Sequence, residues 1–394
     1  MRTQVVPRGT GPVRELPGAE PSEVDLLDVL VDDVRGEAEA PIREVLAECW
    51  VDSFLVMHRG RLLTEYYAAE DRIARPHLLQ SITKSVIGCL AGILVERDQL
   101  DPEAPAANYV PDLAQGGYAT TTVRELLDMR TGGGYREDYV DPMGELADLA
   151  RYGGWWVGDQ ADSGGAGDGL LGMPQDFTAG VRAWLATMPR EVVHGGPFSY
   201  RSADTEVLGW VIESITGIGL SDLIGAEVLS ACGAEADGLF SLDPVGSPLA
   251  AGGLSLVPRD VLRFGWMLMD GGAVGDRQVV PARFLKDTIT GAPDSVPAFR
   301  ARWENGTAPD ARSVPNSLYR NQFWVIHQGR PELLCLGIHG QFLVVDMIDR
   351  LAVVMLSNWP AASDQYLFTA AMSCIDGVRE ALGLGHDNAL TLPG

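Results

Sequence analysis

The sequence predicts an α/β fold, an α+β sandwich in which an antiparallel sheet drawn from both ends of the chain carries flanking helices, with a mainly helical lobe inserted between its halves. Three observations carry this. Short β-like apolar runs occur near the N-terminus and return near the C-terminus. The long middle has helical rather than strand periodicity. The length of 394 residues exceeds one ordinary domain and favours two packed lobes or one large mixed domain. The expected bounds are 22–77 and 286–394 for the sheet lobe and 78–285 for the insert, with 1–21 as an extended N-terminal arm and the site in the cleft between the lobes.

Taken in order, the arm is rich in Gly, Pro and Arg and has neither an apolar segment nor a small-residue cleavage site, so it does not read as a secretory signal. Ser22 precedes EVDLLDVLVDD, whose apolar positions recur at helical spacing, and a capped helix is predicted there. In SFLVMHRGRLLTEYY, Ser53 to Tyr67, two apolar runs flank Arg59-Gly60 as in a tight β-hairpin. The insert contains VRELLDMR, DFTAGVRAWLATM and TEVLGWVIESITG, all helical in period. Its Gly-rich stretch Gly158 to Met173 follows Trp155-Trp156 and reads either as a lid over a site or as a plain surface insertion. QFWVIHQG, ELLCLGIHG, QFLVVDMID and RLAVVMLSN then give four short strands, and Asp364 to Leu382 an amphipathic helix.

Composition narrows the function. Hydrophobic residues at 46% and charged residues at 21% describe an ordinary globular chain with a substantial core. The formal charge of −24, without a Lys/Arg cluster, argues against nucleic acid and against an anionic membrane as partners. No stretch has the apolar length of a membrane span. Cys49, Cys89, Cys232, Cys335 and Cys374 are scattered and odd in number, which suits reduced thiols and a cytoplasmic location. The six histidines form no HExxH or Cys/His pairing, so neither a metal nor another cofactor is expected.

The strongest chemical signal is Ser81-Ile82-Thr83-Lys84, followed by SVIGCLAGILVE. The apolar run requires a buried helix, with Ser81 in its first turn and Lys84 one turn on, so hydroxyl and amine share a face. A serine alcohol needs a neighbour to take its proton. A lysine does so only when desolvation lowers its pKa, which a mostly apolar helix provides. The helix N-terminus adds N–H groups where an oxyanion forms. A nucleophile elbow G-x-S-x-G is absent, and Ser255 in GGLSLV lacks the final glycine.

Two further pieces are weaker alone. In PFSYRSADTEVLGWVIE, Tyr200 follows a Gly-Pro turn just before a helix, where a phenol relays protons between serine, lysine and leaving group, or simply buries its ring. Gly337-Ile338-His339-Gly340-Gln341 joins two strands, and its glycines admit close backbone approach to a ligand or merely make a hairpin.

Together these pieces resemble the serine β-lactamase and penicillin-recognising family over nearly the whole chain, from Ser22 to about Leu382. The resemblance implies the β-lactamase-like sandwich, Ser81 as acylated nucleophile, Lys84 as base and Tyr200 as second-motif tyrosine. It sets His339-Gly340-Gln341 in the place of the Lys-Thr-Gly strand, with the backbone N–H groups of Ser81 and Gln341 as oxyanion hole. Two departures point away from lactamases: Ser202 stands where asparagine is usual, and His339 where a lysine holds the antibiotic carboxylate. The chain looks closer to the branch of 6-aminohexanoate-dimer hydrolases and related carboxylesterases, and YREDYVDP with Tyr139, then Trp155, resembles that branch's substrate loop. Tyr139, Trp155, Ser202, His339 and Gly340 are accordingly expected to contact substrate.

The expected function is hydrolysis of a small linear amide or ester through an acyl-enzyme. A β-lactamase or D-peptidase is the alternative, and a non-catalytic binding protein on the same fold a third reading, against which the intact Ser81, Lys84 and Tyr200 argue. The partner is a small-molecule substrate; oligomeric state is not read from the sequence, and a homodimer stays open.

Overall fold

Alternation along the strands decides the architecture. In Val51–His58, Leu55 and Met57 belong to one buried cluster, while Phe54 and Val56 belong to another. The same split separates Leu343 from Val344 and Val354 from Val353. Successive strand side chains point to opposite faces, so a sheet apolar on both faces must be covered on both. The computed structural model, which describes residues 2–19, 25–139, 141–155, 175–304 and 316–384, meets that requirement. Helices Ile42–Glu48 and Gln365–Ala381 cover one face, and Ile82–Glu96 and Pro258–Met269 the other.

The sheet has seven strands in the order Leu318–Arg320, Phe323–Val325, Glu332–Gly337, Gln341–Asp346, Leu351–Ser357, Val51–His58 and Arg61–Tyr67. Every neighbouring pair is antiparallel. The N-terminal hairpin joins the C-terminal strands through Val51–His58 against Leu351–Ser357, so both chain ends build one sheet. The hairpin turns at Arg59-Gly60, with φ of 52° and 74°, the left-handed pair that matches strand twist. Helix Gln365–Ala381 starts at Asp364, whose carboxylate accepts from the backbone N–H groups of Tyr366 and Leu367.

Three expectations change. Ser22 lies outside the described residues, and the helix predicted after it does not form. Leu26–Asp28 is a single 3-10 turn capped by Asp25, followed by paired strands Leu30–Asp32 and Glu39–Pro41. Packing overrides the periodicity here: Val31 presses on the last helix at Gly377, where an added Cβ would stand 2.3 Å from Val31 Cγ1.

The arm is tied down rather than loose. Arg2–Val6 pairs with Gly238–Leu242 in a second sheet, completed by Leu254–Leu256 and His77–Leu78. The insert is also smaller than its expected bounds, because helix Pro258–Met269 already lies back on the main sheet. The Gly158–Met173 stretch lies outside the described residues.

All five cysteines are buried and unpaired. Burial pushes the thiols of Cys49, Cys232 and Cys335 up to about 12, which unsuits them as nucleophiles. Among the described residues no single helix is long and apolar enough to cross a membrane.

Candidate active site

The short strand His77–Leu78 delivers the chain into helix Ile82–Glu96. Leu79 N–H is held by Leu254 O at 2.9 Å, Gln80 turns through a left-handed φ of 48°, and Ser81 stands at the helix N-terminus. One turn on, the Lys84 side chain is fully buried, 1% exposed. Its Nζ lies 2.8 Å from Ser81 Oγ, 2.7 Å from Ala251 O and 3.1 Å from Ser202 Oγ. Desolvation lowers its pKa to about 8, opposed by the negative charges of Glu137 and Glu206. The serine thus faces an amine that sheds its proton near neutral pH.

Two of the three partners of Lys84, Ala251 and Ser202, are themselves held. Glu206, on helix Ser202–Thr216, accepts from the N–H groups of Ala250 and Ala251 at 3.0 and 2.9 Å, which fixes the carbonyl of Ala251. Burial raises the Glu206 carboxyl to about 7. Ser202 opens that helix and gives its O–H to Glu137 Oε1 at 2.7 Å and its N–H to Glu137 Oε2 at 2.8 Å. Ser202 was expected to touch substrate; at 5% exposure, with its hydroxyl between Lys84 and Glu137, it serves the lysine instead.

Tyr200 belongs to an aromatic stack. Its ring lies on Trp324 with centroids 5.3 Å apart and meets Tyr319 edge-on, while Phe198 and Phe299 complete the cluster. The ring face is presented to Lys84, with Nζ 5.2 Å from its centroid, a cation–π contact that favours the ammonium form.

Ser81 and Tyr200 open onto a cleft of about 1210 Å³. Its apolar wall includes Val192, Ile338, Trp324, Trp359 and Phe368, and its acidic rim Glu137, Asp138 and Glu191. Among its described residues, Arg136 pairs with Glu191 at 3.2 Å, and Arg201 donates to the carbonyls of Tyr135 and Thr131. Tyr139 lines this cleft, its O–H directed at Glu137 Oε1 at 3.3 Å. Trp155 packs instead behind the loop that bears Ala251, near enough to Gly252 that an added Cβ would stand 3.2 Å from Trp155 Cη2.

The hairpin that closes the cleft is placed differently from the sequence reading. Gly337 seats it against the residues that precede Ser81: a Cβ there would stand 2.7 Å from Leu79 O and 2.9 Å from Gln80 Cβ. Leu336, Gly337, Ile338 and Phe342 are the hairpin residues that line the cleft with Ser81. His339 and Gln341 instead line a second, polar cavity of about 490 Å³, together with Ser53, His77 and Ser357. Gln341 spends its amide on Ser357 O at 2.7 Å and accepts from Ser357 N–H at 3.2 Å. His339 sets Nδ1 2.8 Å from Trp359 O, and Gly340, at φ 82°, lies under the Trp359 indole. The glycines at 337 and 340 read alike in sequence; only packing against Gln80 tells which one adjoins Ser81. Glu137 was not singled out at all, although an acid two residues before Tyr139 in YREDYVDP was the available signal.

The profile of the Beta-lactamase family matches residues 51–373. A 6-aminohexanoate-dimer hydrolase from Paenarthrobacter ureafaciens is 31% identical over 322 residues, 81% of this chain and 75% of that protein. Esterase EstB from Burkholderia gladioli is 28% identical over 179 residues, 44% of this chain and 40% of that protein. Among solved structures, a Bacillus anthracis protein provisionally assigned as a 6-aminohexanoate-dimer hydrolase superposes with a TM-score of 0.79 at 23% identity, covering 98% of this chain and 92% of its own.

Proposed function

The chain belongs to the Beta-lactamase family, and we propose that within it the protein is an acyl-enzyme-forming hydrolase of small linear amides or esters. Its relatives include an amide hydrolase and an esterase, so hydrolysis on this fold is the family's chemistry. The observation that carries the reading is Lys84 Nζ 2.8 Å from Ser81 Oγ in a buried setting that lowers the lysine pKa to about 8.

In this reading, neutral Lys84 takes the Ser81 proton as Oγ attacks the substrate carbonyl. The backbone N–H groups of Ser81 and Ile338 hold the oxyanion, with Ile338 replacing Gln341 because Ile338 lines the cleft with Ser81 and Gln341 lines the second cavity. Tyr200 passes a proton to the leaving amine or alcohol. Water then attacks the ester at Ser81, and its proton returns by the reverse route.

The cleft favours an extended apolar chain over a penicillin. Its apolar wall suits methylenes, and among the described residues of the cleft Arg201 is bonded to backbone carbonyls while the exposed Arg136 pairs with Glu191 on an acidic rim, so an antibiotic carboxylate meets no unpaired cation there. The test compares specificity constants for short-acyl p-nitrophenyl esters, linear 6-aminohexanoate dimer and nitrocefin. Ester or dimer turnover well above that of nitrocefin is expected. A wide margin for nitrocefin would replace this reading by the lactamase one.

A further inference from the structure

Lys84 needs more than a lowered pKa: as a base, its lone pair must point at Ser81. We propose that Glu137 is the positioning residue that aims it, acting through the hydroxyl of Ser202. This rests on the serine-hydrolase reading above.

The geometry follows from counting donors and acceptors. Ser202 has one hydroxyl proton and two neighbours that compete for it, the Glu137 carboxylate at 2.7 Å and Lys84 Nζ at 3.1 Å. A carboxylate is the stronger acceptor and the nearer one, and it is locked in place by Ser202 N–H at 2.8 Å. It also sits at the N-terminus of the 15-residue helix Ser202–Thr216, where the helix dipole favours negative charge. The Ser202 proton therefore goes to Glu137, and its oxygen faces Lys84 as an acceptor only. Ala251 O, 2.7 Å away on the other side, is likewise an acceptor only.

A neutral amine has two N–H bonds and one lone pair. With Ser202 Oγ and Ala251 O each taking an N–H, the lone pair is left for the O–H of Ser81 at 2.8 Å. Once Lys84 has taken that proton, its three N–H bonds find three acceptors in place: Ser202 Oγ, Ala251 O and the Ser81 oxygen. The ammonium is then poised to return the proton along the same line. Remove Glu137, and the Ser202 hydroxyl turns to donate into the lysine lone pair, in competition with Ser81.

Glu137 has a second, separable effect. The charged groups that bear on Lys84 are Glu137 and Glu206, both of which hold its pKa up, and the Tyr200 ring at 5.2 Å acts in the same direction. Deleting Glu137 alone therefore lets the lysine pKa fall, and the acidic limb of kcat/KM moves to lower pH. An enzyme with a looser base but a more readily deprotonated lysine is the distinctive outcome, because a merely displaced loop does not move the limb in that direction.

The experiment uses the full chain and whichever ester or amide gives the best turnover, with Glu137→Ala, Ser202→Ala and the double variant. Glu137→Ala should lower kcat by about 30- to 100-fold, less than the roughly 10²- to 10⁴-fold of removing a general base itself, with KM nearly unchanged and the acidic limb shifted down. The double variant should be no slower than Ser202→Ala alone, since without the hydroxyl there is nothing left for Glu137 to aim. An unshifted limb, a kcat within about threefold of wild type, or losses that multiply in the double variant would overturn the proposal. Ser81→Ala and Lys84→Ala run beside them: activity in those variants defeats the hydrolase reading itself, whereas dead controls with an unaffected Glu137→Ala defeat only the aiming role.

Discussion

Two hollows flank the same hairpin, and they differ in how their polar groups are spent. On the cleft side, Lys84, Ser202 and Glu137, and Glu206 through Ala251, are joined by bonds of 2.7–3.1 Å, and the lysine's partners Ser202 and Ala251 are each held by a carboxylate. On the other side, the wall of the 490 Å³ cavity is mostly polar, yet among the described residues the buried hydroxyls of Ser53 and Ser357 have no partner. Polar density alone is therefore a poor guide to chemistry. What marks the cleft is one titratable group desolvated against a serine hydroxyl and flanked by fixed acceptors.

The sharpest way to break this contrast is to remove the base. Lys84→Ala should cost three or more orders of magnitude in turnover, because nucleophile and base act as a unit, on the order of ~10³. Lys84→Arg should restore little, since guanidinium stays protonated at working pH. Steady-state kinetics of both variants check this, and near-wild-type activity in either would transfer the role of base elsewhere.

A smaller effect is read from pH. The base form of Lys84 is the neutral amine, present above its pKa and lost below it, and burial sets that pKa at about 8. The kcat/KM of the free enzyme should therefore fall about tenfold per unit below that value and level off above it. A profile flat down to pH 6 would mean that the lysine is not the group being titrated.

The smallest effects belong to the second cavity. Ser357→Ala and His339→Ala should each leave kcat/KM within about threefold, because neither side chain faces the cleft. Ser357→Ala removes a buried hydroxyl that has no partner among the described residues, so thermal unfolding should shift by no more than about 2 °C. A large kinetic loss in His339→Ala would restore it as a substrate contact and erase the difference between the two hollows.

What was legible in the sequence follows the range of each interaction. Ser81 and Lys84 lie on one helix, so apolar periodicity alone places them together. The strands at the two chain ends show their alternation locally, and Asp364 announces its helix by capping. Glu137 becomes meaningful only through a contact made across the fold with Ser202, and nothing near it in sequence records that. The hairpin was misregistered because Gly337 and Gly340 are equivalent as turn residues until Gly337 packs on Gln80. Arg2–Val6 carries no apolar alternation, and four of its five residues are exposed even when paired, so its strand could not be read in advance.

The central claim, that Ser81 is the acylated nucleophile, is tested most directly by covalent capture. Purified full-length protein is treated with a fluorophosphonate, its intact mass is measured, and the modified peptide is mapped. One adduct is predicted, on the peptide containing Ser81 and lost in Ser81→Ala; no adduct, or an adduct mapped to another residue, would contradict the assignment.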